Sequence, residues 1–200
     1  MTWTLKDLLA MVVETIRNPR EGAATLLNFA PGRGVIWQML ALVVVLSVLM
    51  AHATALLFAS PGAEIFAGPL HLSPILTGVV QGSLLVIMVF ATYWIGKAFG
   101  GTGSFEETLL LLTWLQFVLV VLQVVQTLSL LVLPPLAPII GMLAMVLFFW
   151  LLTNFVAILH GFTSLGLVFV GILLSAFAVV FGLTIILTLI GITVPGMGDV

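Results

Sequence analysis

Any chemistry in this chain would have to come from very few side chains. It carries five Lys and Arg, seven Asp and Glu, three histidines and no cysteine. The missing thiol removes disulfides, thiolate metal sites and cysteine nucleophiles together. His52, His71 and Glu64 are the nearest approach to a metal-ligating group. A metal needs three or four converging ligands, and no helical spacing links these residues, so no metal site is expected. Hydrolysis needs a nucleophile, a base and an orienting group within mutual reach. No Ser or Thr stands in such a setting, so no catalytic residue and no cofactor is expected, and the chain reads as a non-enzyme. The segment GKAFGGTGS looks like a phosphate cradle, yet a Walker loop places its lysine after the last glycine. Here Lys97 precedes Gly100, Gly101 and Gly103, which reads as a flexible turn followed by a helix cap.

The remaining polar residues lie inside apolar stretches. Thr113, Gln116, Gln123 and Thr127 share one helical face with Val120, within about 80° on a wheel. An amide without a partner is costly in hydrocarbon, so Gln116, Gln123 and Asn154 are expected to make interhelical polar contacts. The sharpest expectation is a direct or one-water bond between Gln116 and Asn154. Gly78 and Gly82, and the stripe Gly171, Ser175 and Gly182, are the expected close-packing faces. His160 reads as a helix-end residue near the negative end of a dipole.

The elements that hold these residues follow from where charge is absent. From Val35 to Ile192 the only formal charges are Glu64, Lys97, Glu106 and Glu107. The chain is 62% hydrophobic and 6% charged, against about 25% charged in soluble domains, and its mean hydropathy is +1.39. A span needs roughly 20 mostly apolar residues. The runs 35–58, 76–95, 108–133, 139–159 and 165–192 meet that need, and 193–200 is a tail. The expected fold is all-α, a polytopic membrane protein with five transmembrane helices and an amino-terminal amphipathic helix. A cleaved leader is not expected, because the first apolar run exceeds a signal h-region.

Residues 1–34 hold Lys6, Asp7, Glu14, Arg17, Arg20, Glu21 and Arg33. Thr4 followed by Asp7 forms a capping box. Leu5, Leu8, Leu9, Val12 and Ile16 fall on one face of the helix, and Lys6, Asp7, Ala10, Glu14 and Arg17 on the other. Asn18-Pro19 ends it. Too short to span, this helix should lie along the interface or dock on the bundle. All five cations fall on one side if the amino terminus is cytoplasmic, with Trp37, Tyr93, Trp94 and Trp114 toward the same side.

IRNPREGAATLL before the first span, GKAFGGTGSFEET leading into the third, and LHGFTSLGLVFVGIL leading into the fifth resemble the Yip family, in its bacterial branch. The resemblance implies a five-helix membrane domain with a cytoplasmic amino terminus, in the bacterial inner membrane. In eukaryotic members it also implies vesicle traffic through Rab-type GTPases. The Asp-Leu-Tyr-Gly-Pro motif of those members is absent, the only tyrosine being Tyr93, so GTPase binding is not carried over. The expected partners are the lipid bilayer, further copies of the chain, or other membrane proteins, and not nucleic acid. The expected role is a scaffold or interaction protein in membrane organisation. The rival is a small transporter or channel with a neutral polar pathway along the third span. Reporter fusions should place residue 20 and the loop 100–104 in the cytoplasm and Val200 outside; a cytoplasmic Val200 would remove the five-span topology.

Overall fold

The computed structural model describes residues 4–58 and 73–189, and all of its regular elements are α-helices. Glu64, His71 and the tail lie outside the described residues. Helix α1 (Leu5–Arg17) opens on the Thr4–Asp7 box, with both reciprocal bonds present: the Thr4 N–H donates to Asp7 Oδ2 at 2.9 Å, and the Asp7 N–H to Thr4 Oγ1 at 3.3 Å. Asn18 ends it, as the sequence indicates. Pro19 then starts a second helix, α2 (Pro19–Phe29), which sequence reading missed. Proline suits a first helical position because its missing N–H would be unpaired there in any case. Residues 1–34 therefore hold a helical hairpin.

Five long helices follow: α3 (Arg33–Leu57), α4 (Pro74–Ala98), α5 (Phe105–Val132), α6 (Leu136–His160) and α7 (Leu165–Leu189). All are long and apolar enough to cross a membrane. This is an all-α membrane protein. Each start has a local cause. Ser73 accepts from the Leu76 N–H ahead of Pro74, and Ser104 and Glu107 cap each other at 2.7 and 3.2 Å. That box begins α5 at Phe105, a turn ahead of the apolar run at Thr108.

Helix α5 is the hub, packing on α3, α4, α6 and α2, while α7 leans on α6. In lipid, no hydrophobic force drives helices together, so association rests on close packing and hydrogen bonds. The close packing is concentrated at one end. Leu109, Leu111, Leu112, Leu115 and Val118 of α5 are closed off with Leu151 and Phe155 of α6. Toward the α5–α6 turn the same helices expose Leu128, Leu131, Met142 and Leu143, which in a bilayer meet acyl chains. At the packed end Phe105 sits among Trp37, Phe90 and Tyr93, with the Arg33 guanidinium 5.9 Å from its ring centroid. Arg33 also lies 3.8 Å from Glu106, but both side chains are exposed and such pairs contribute little.

The bonds from the Thr4 hydroxyl and N–H hold the Asp7 carboxyl below the ordinary aspartate value of 3.8. A lowered value means that the cap contributes fully above 3.8 and is lost as the pH falls through the lowered one. Acidification should therefore fray the first turn of α1 while α3–α7 stay protected. Amide hydrogen exchange across that range checks this, and Asp7→Asn should remove the pH dependence.

Candidate functional site

The glycine-rich segment and His160 meet at the packed end. Helix α4 ends in a Schellman turn: the Gly101 N–H bonds to Gly96 O at 2.8 Å and the Gly100 N–H to Lys97 O at 3.0 Å. Gly100 sits at φ +84°, where a side chain would be strained. Helix α6 ends the same way, with Gly161 at φ +73° and the Phe162 N–H bonded to Ala157 O at 2.8 Å. The two turns interlock. The His160 ring occupies the space that side chains at Gly96 and Gly101 would need, and Leu159 likewise fills the space beside Gly103. The Thr102 N–H bonds His160 O at 3.4 Å, and Lys97 Nζ donates to Thr102 O at 3.1 Å. The lysine is thus engaged by its own loop, and the segment forms a turn followed by a helix cap.

His160 is 2% exposed and stacks on Phe162 with centroids 5.6 Å apart. The Thr92 carbonyl lies nearby but outside hydrogen-bonding geometry, so neither ring nitrogen is paired among the described residues. The imidazole acts here as a wedge filling a slot. No group of three or more His, Asp or Glu able to hold a metal occurs among the described residues. The nearest bond of His52 is from its own helix, Nδ1 lying 3.0 Å from Val48 O.

The amino-terminal hairpin joins the same end. Trp114 Nε1 donates to Thr15 Oγ1 at 3.1 Å, and that hydroxyl donates to Met11 O at 2.8 Å. Gly22 of α2 lies so close to Thr15 that a Cβ would fall 2.9 Å from its Cα. Val12 and Thr15 are buried, and α2 packs on α5 and α6. Pro19 and Gly22 were the available signals for this docking, since together they permit a tight helical hairpin.

The expected Gln116–Asn154 direct bond is not formed. Asn154 Nδ2 donates to Trp150 O of its own helix at 2.8 Å. Gln126 reaches Ala137 O at 3.1 Å and touches Gly141, a register that sets Gln116 level with Leu147–Leu151, before Asn154. Gln116 is half-buried, and Gln123 lines a shallow groove between α5 and α6 with Leu119, Gln126, Ala144, Met145 and Phe148. Among the described residues, the side-chain to side-chain bonds between spanning helices lie elsewhere: Gln81 Nε2 to Ser47 Oγ at 2.6 Å, and Thr54 Oγ1 with Thr127 Oγ1 at 2.8 Å. Gly78 and Gly82 face Val48 and Val44 of α3, but at 3.7 and 3.8 Å a Cβ would fit. Gly171 and Gly182 have no neighbour close enough to meet a Cβ among the described residues, and Ser175 is half-exposed beside them.

The Yip1 domain model matches residues 13–187. The chain belongs to the Yip1 family. No curated protein and no solved structure matches it comparably. The Yip1 match takes in most of the hairpin, all of the interlocked turns and all but the end of α7, so these features lie inside the family domain rather than in appended segments.

A Cβ at Gly96 or Gly101 must displace the boxed His160 ring, and overpacking of this kind costs about 1–3 kcal/mol. Gly96→Ala should lower thermal stability in detergent by that order, and adding His160→Ala should restore part of it. Strictly additive losses in the double variant would refute the slot.

Proposed function

We propose that this Yip1-family protein is a non-enzymatic membrane scaffold that organises other components at its cation-bearing end. The family assignment supports a role in membrane organisation, since the family is linked to membrane traffic and is not known for catalysis. The observation that carries the reading is how its polar side chains are used. Several of those at helix contacts bind neighbouring helices or their own backbone: Gln81 to Ser47, Thr54 to Thr127, Gln126 to Ala137, Asn154 to Trp150. They brace the bundle rather than line a path through it. We further propose the bacterial inner membrane as its site, with residues 1–34 cytoplasmic and the carboxyl terminus outside. The grounds are the five cations, which all belong to one side under that topology.

The transporter reading draws on Gln116 and Gln123, whose amides make no direct bond among the described residues. A conduit needs continuity, and the groove that holds Gln123 runs only between the middles of α5 and α6. The absence of native cysteine makes the test clean. Gln116→Cys and Gln123→Cys should react slowly with a membrane-impermeant thiol reagent in intact membranes. Prompt labelling of both would replace the scaffold with a polar pathway. Crosslinking in native membranes followed by mass spectrometry should recover membrane-protein partners, and recovery of none would also count against the scaffold.

A further inference from the structure

Helix α1 has more apolar surface than its docking uses. Around its axis Thr15 and Val12 face the bundle and are buried. The next sector, about 80° wide at 100° per residue, carries Leu5, Leu9 and Val13, which are 71%, 42% and 48% exposed, with Ile16 of the last turn half-buried between them. Lys6 and Arg17 come next, directly beside Val13, and only beyond them do Glu14 and Asp7 follow. The helix therefore presents three sectors: a docked one, an open apolar one bordered by two cations, and an acidic one. The open apolar sector with its cationic border forms a single shallow surface that also takes in Ala10 and Glu14.

Depth says what covers this surface. Thr15 is bonded to Trp114, nine residues inside α5 from Phe105, or about 13 Å along its axis. Helix α1 thus lies against the flank of the spanning bundle rather than beyond its end. An exposed apolar stripe at that level, turned away from the protein, faces lipid. Long basic side chains flanking such a stripe keep their apolar stems in the acyl boundary and their charges among headgroups. The order of the sectors adds the sign: Lys6 and Arg17 adjoin the lipid-facing stripe directly, while Glu14, at the edge of the same surface, and Asp7 lie beyond them.

We infer that α1 is a lipid-headgroup site selective for anionic lipids, with Leu9 and Val13 in the acyl boundary and Lys6 and Arg17 binding headgroup phosphates. The site is coupled to the core through Thr15 and Trp114. It requires only that the chain spans a bilayer, so it stands or falls separately from the scaffold role.

The test uses the full chain in nanodiscs of phosphatidylcholine with and without phosphatidylglycerol. A single environment-sensitive probe is attached at Leu9→Cys, or at Val13→Cys should the first variant fold poorly. Emission should be blue-shifted and quenched by brominated lipid, more strongly when the bromine is carried by phosphatidylglycerol than by phosphatidylcholine. Lys6→Gln with Arg17→Gln should erode that preference by about fivefold per cation removed, whereas Glu14→Gln should leave or raise it. A probe in bulk water overturns the inference. So does blue-shifted emission that no brominated lipid quenches, which would mean a protein covers the stripe. An anionic preference unchanged in the Lys6→Gln, Arg17→Gln double variant overturns it as well.

Discussion

The close approach of the α4–α5 turn to the last turn of α6 is the contact on which the packed end depends. Lipid gives no hydrophobic reward for bringing apolar helices together, so backbone proximity and side-chain fit decide which helices pair. Three glycines without Cβ atoms let the turn lie against His160 and Leu159. The two Schellman turns satisfy their own carbonyls and leave one cross-turn bond, Thr102 to His160. With α4 and α6 joined there, α5 begins between them, and its Ser104–Glu107 cap sets where the central helix starts. The close packing of Leu109–Leu115 against Leu151 and Phe155 follows from that placement.

The amino-terminal hairpin extends the same region sideways. A buried tertiary bond reaches it where the Trp114 indole N–H meets a threonine hydroxyl already bonded to its own helix. That arrangement satisfies the indole without placing a charge in the bundle. It leaves the cations Lys6, Arg17 and Arg20 exposed on the periphery while Val12, Ala23 and Leu26 close against the core. Aromatic rings gather at this end too, around Phe105, where amphipathic rings and headgroups are compatible.

Polar residues inside the spans divide by the length of their side chains. Threonine reaches the carbonyl four residues back, and Thr54, Thr108, Thr127, Thr184 and Thr188 all do so. Thr113 and Thr153 are exceptions, buried with hydroxyls that find no partner among the described residues. Glutamine is long enough to cross between helices, and Gln81 and Gln126 do. A helical wheel cannot separate these cases, because it shows which face a residue shares and not what stands opposite.

The sequence alone determined that this is a five-span helical membrane protein with its cations toward one end. The reason is that length, hydropathy and charge are local quantities, and a bilayer imposes one dimension on every span. Both capping boxes were equally legible, since their bonds lie within four residues. Family membership was visible in the same glycines that later proved to pack on α6. Which polar groups meet was decided by the tertiary structure. The α5–α6 register depends on how the Pro134-Pro135 turn and Gln126 seat the hairpin, and that register left Gln116 level with Leu147–Leu151 and short of Asn154. The role of His160 as a wedge, the docking of α1 on Trp114 and the open face of α7 are likewise contacts between distant segments. A residue's spacing states where its helix will point it, whereas its neighbour is chosen by the packing of the whole bundle.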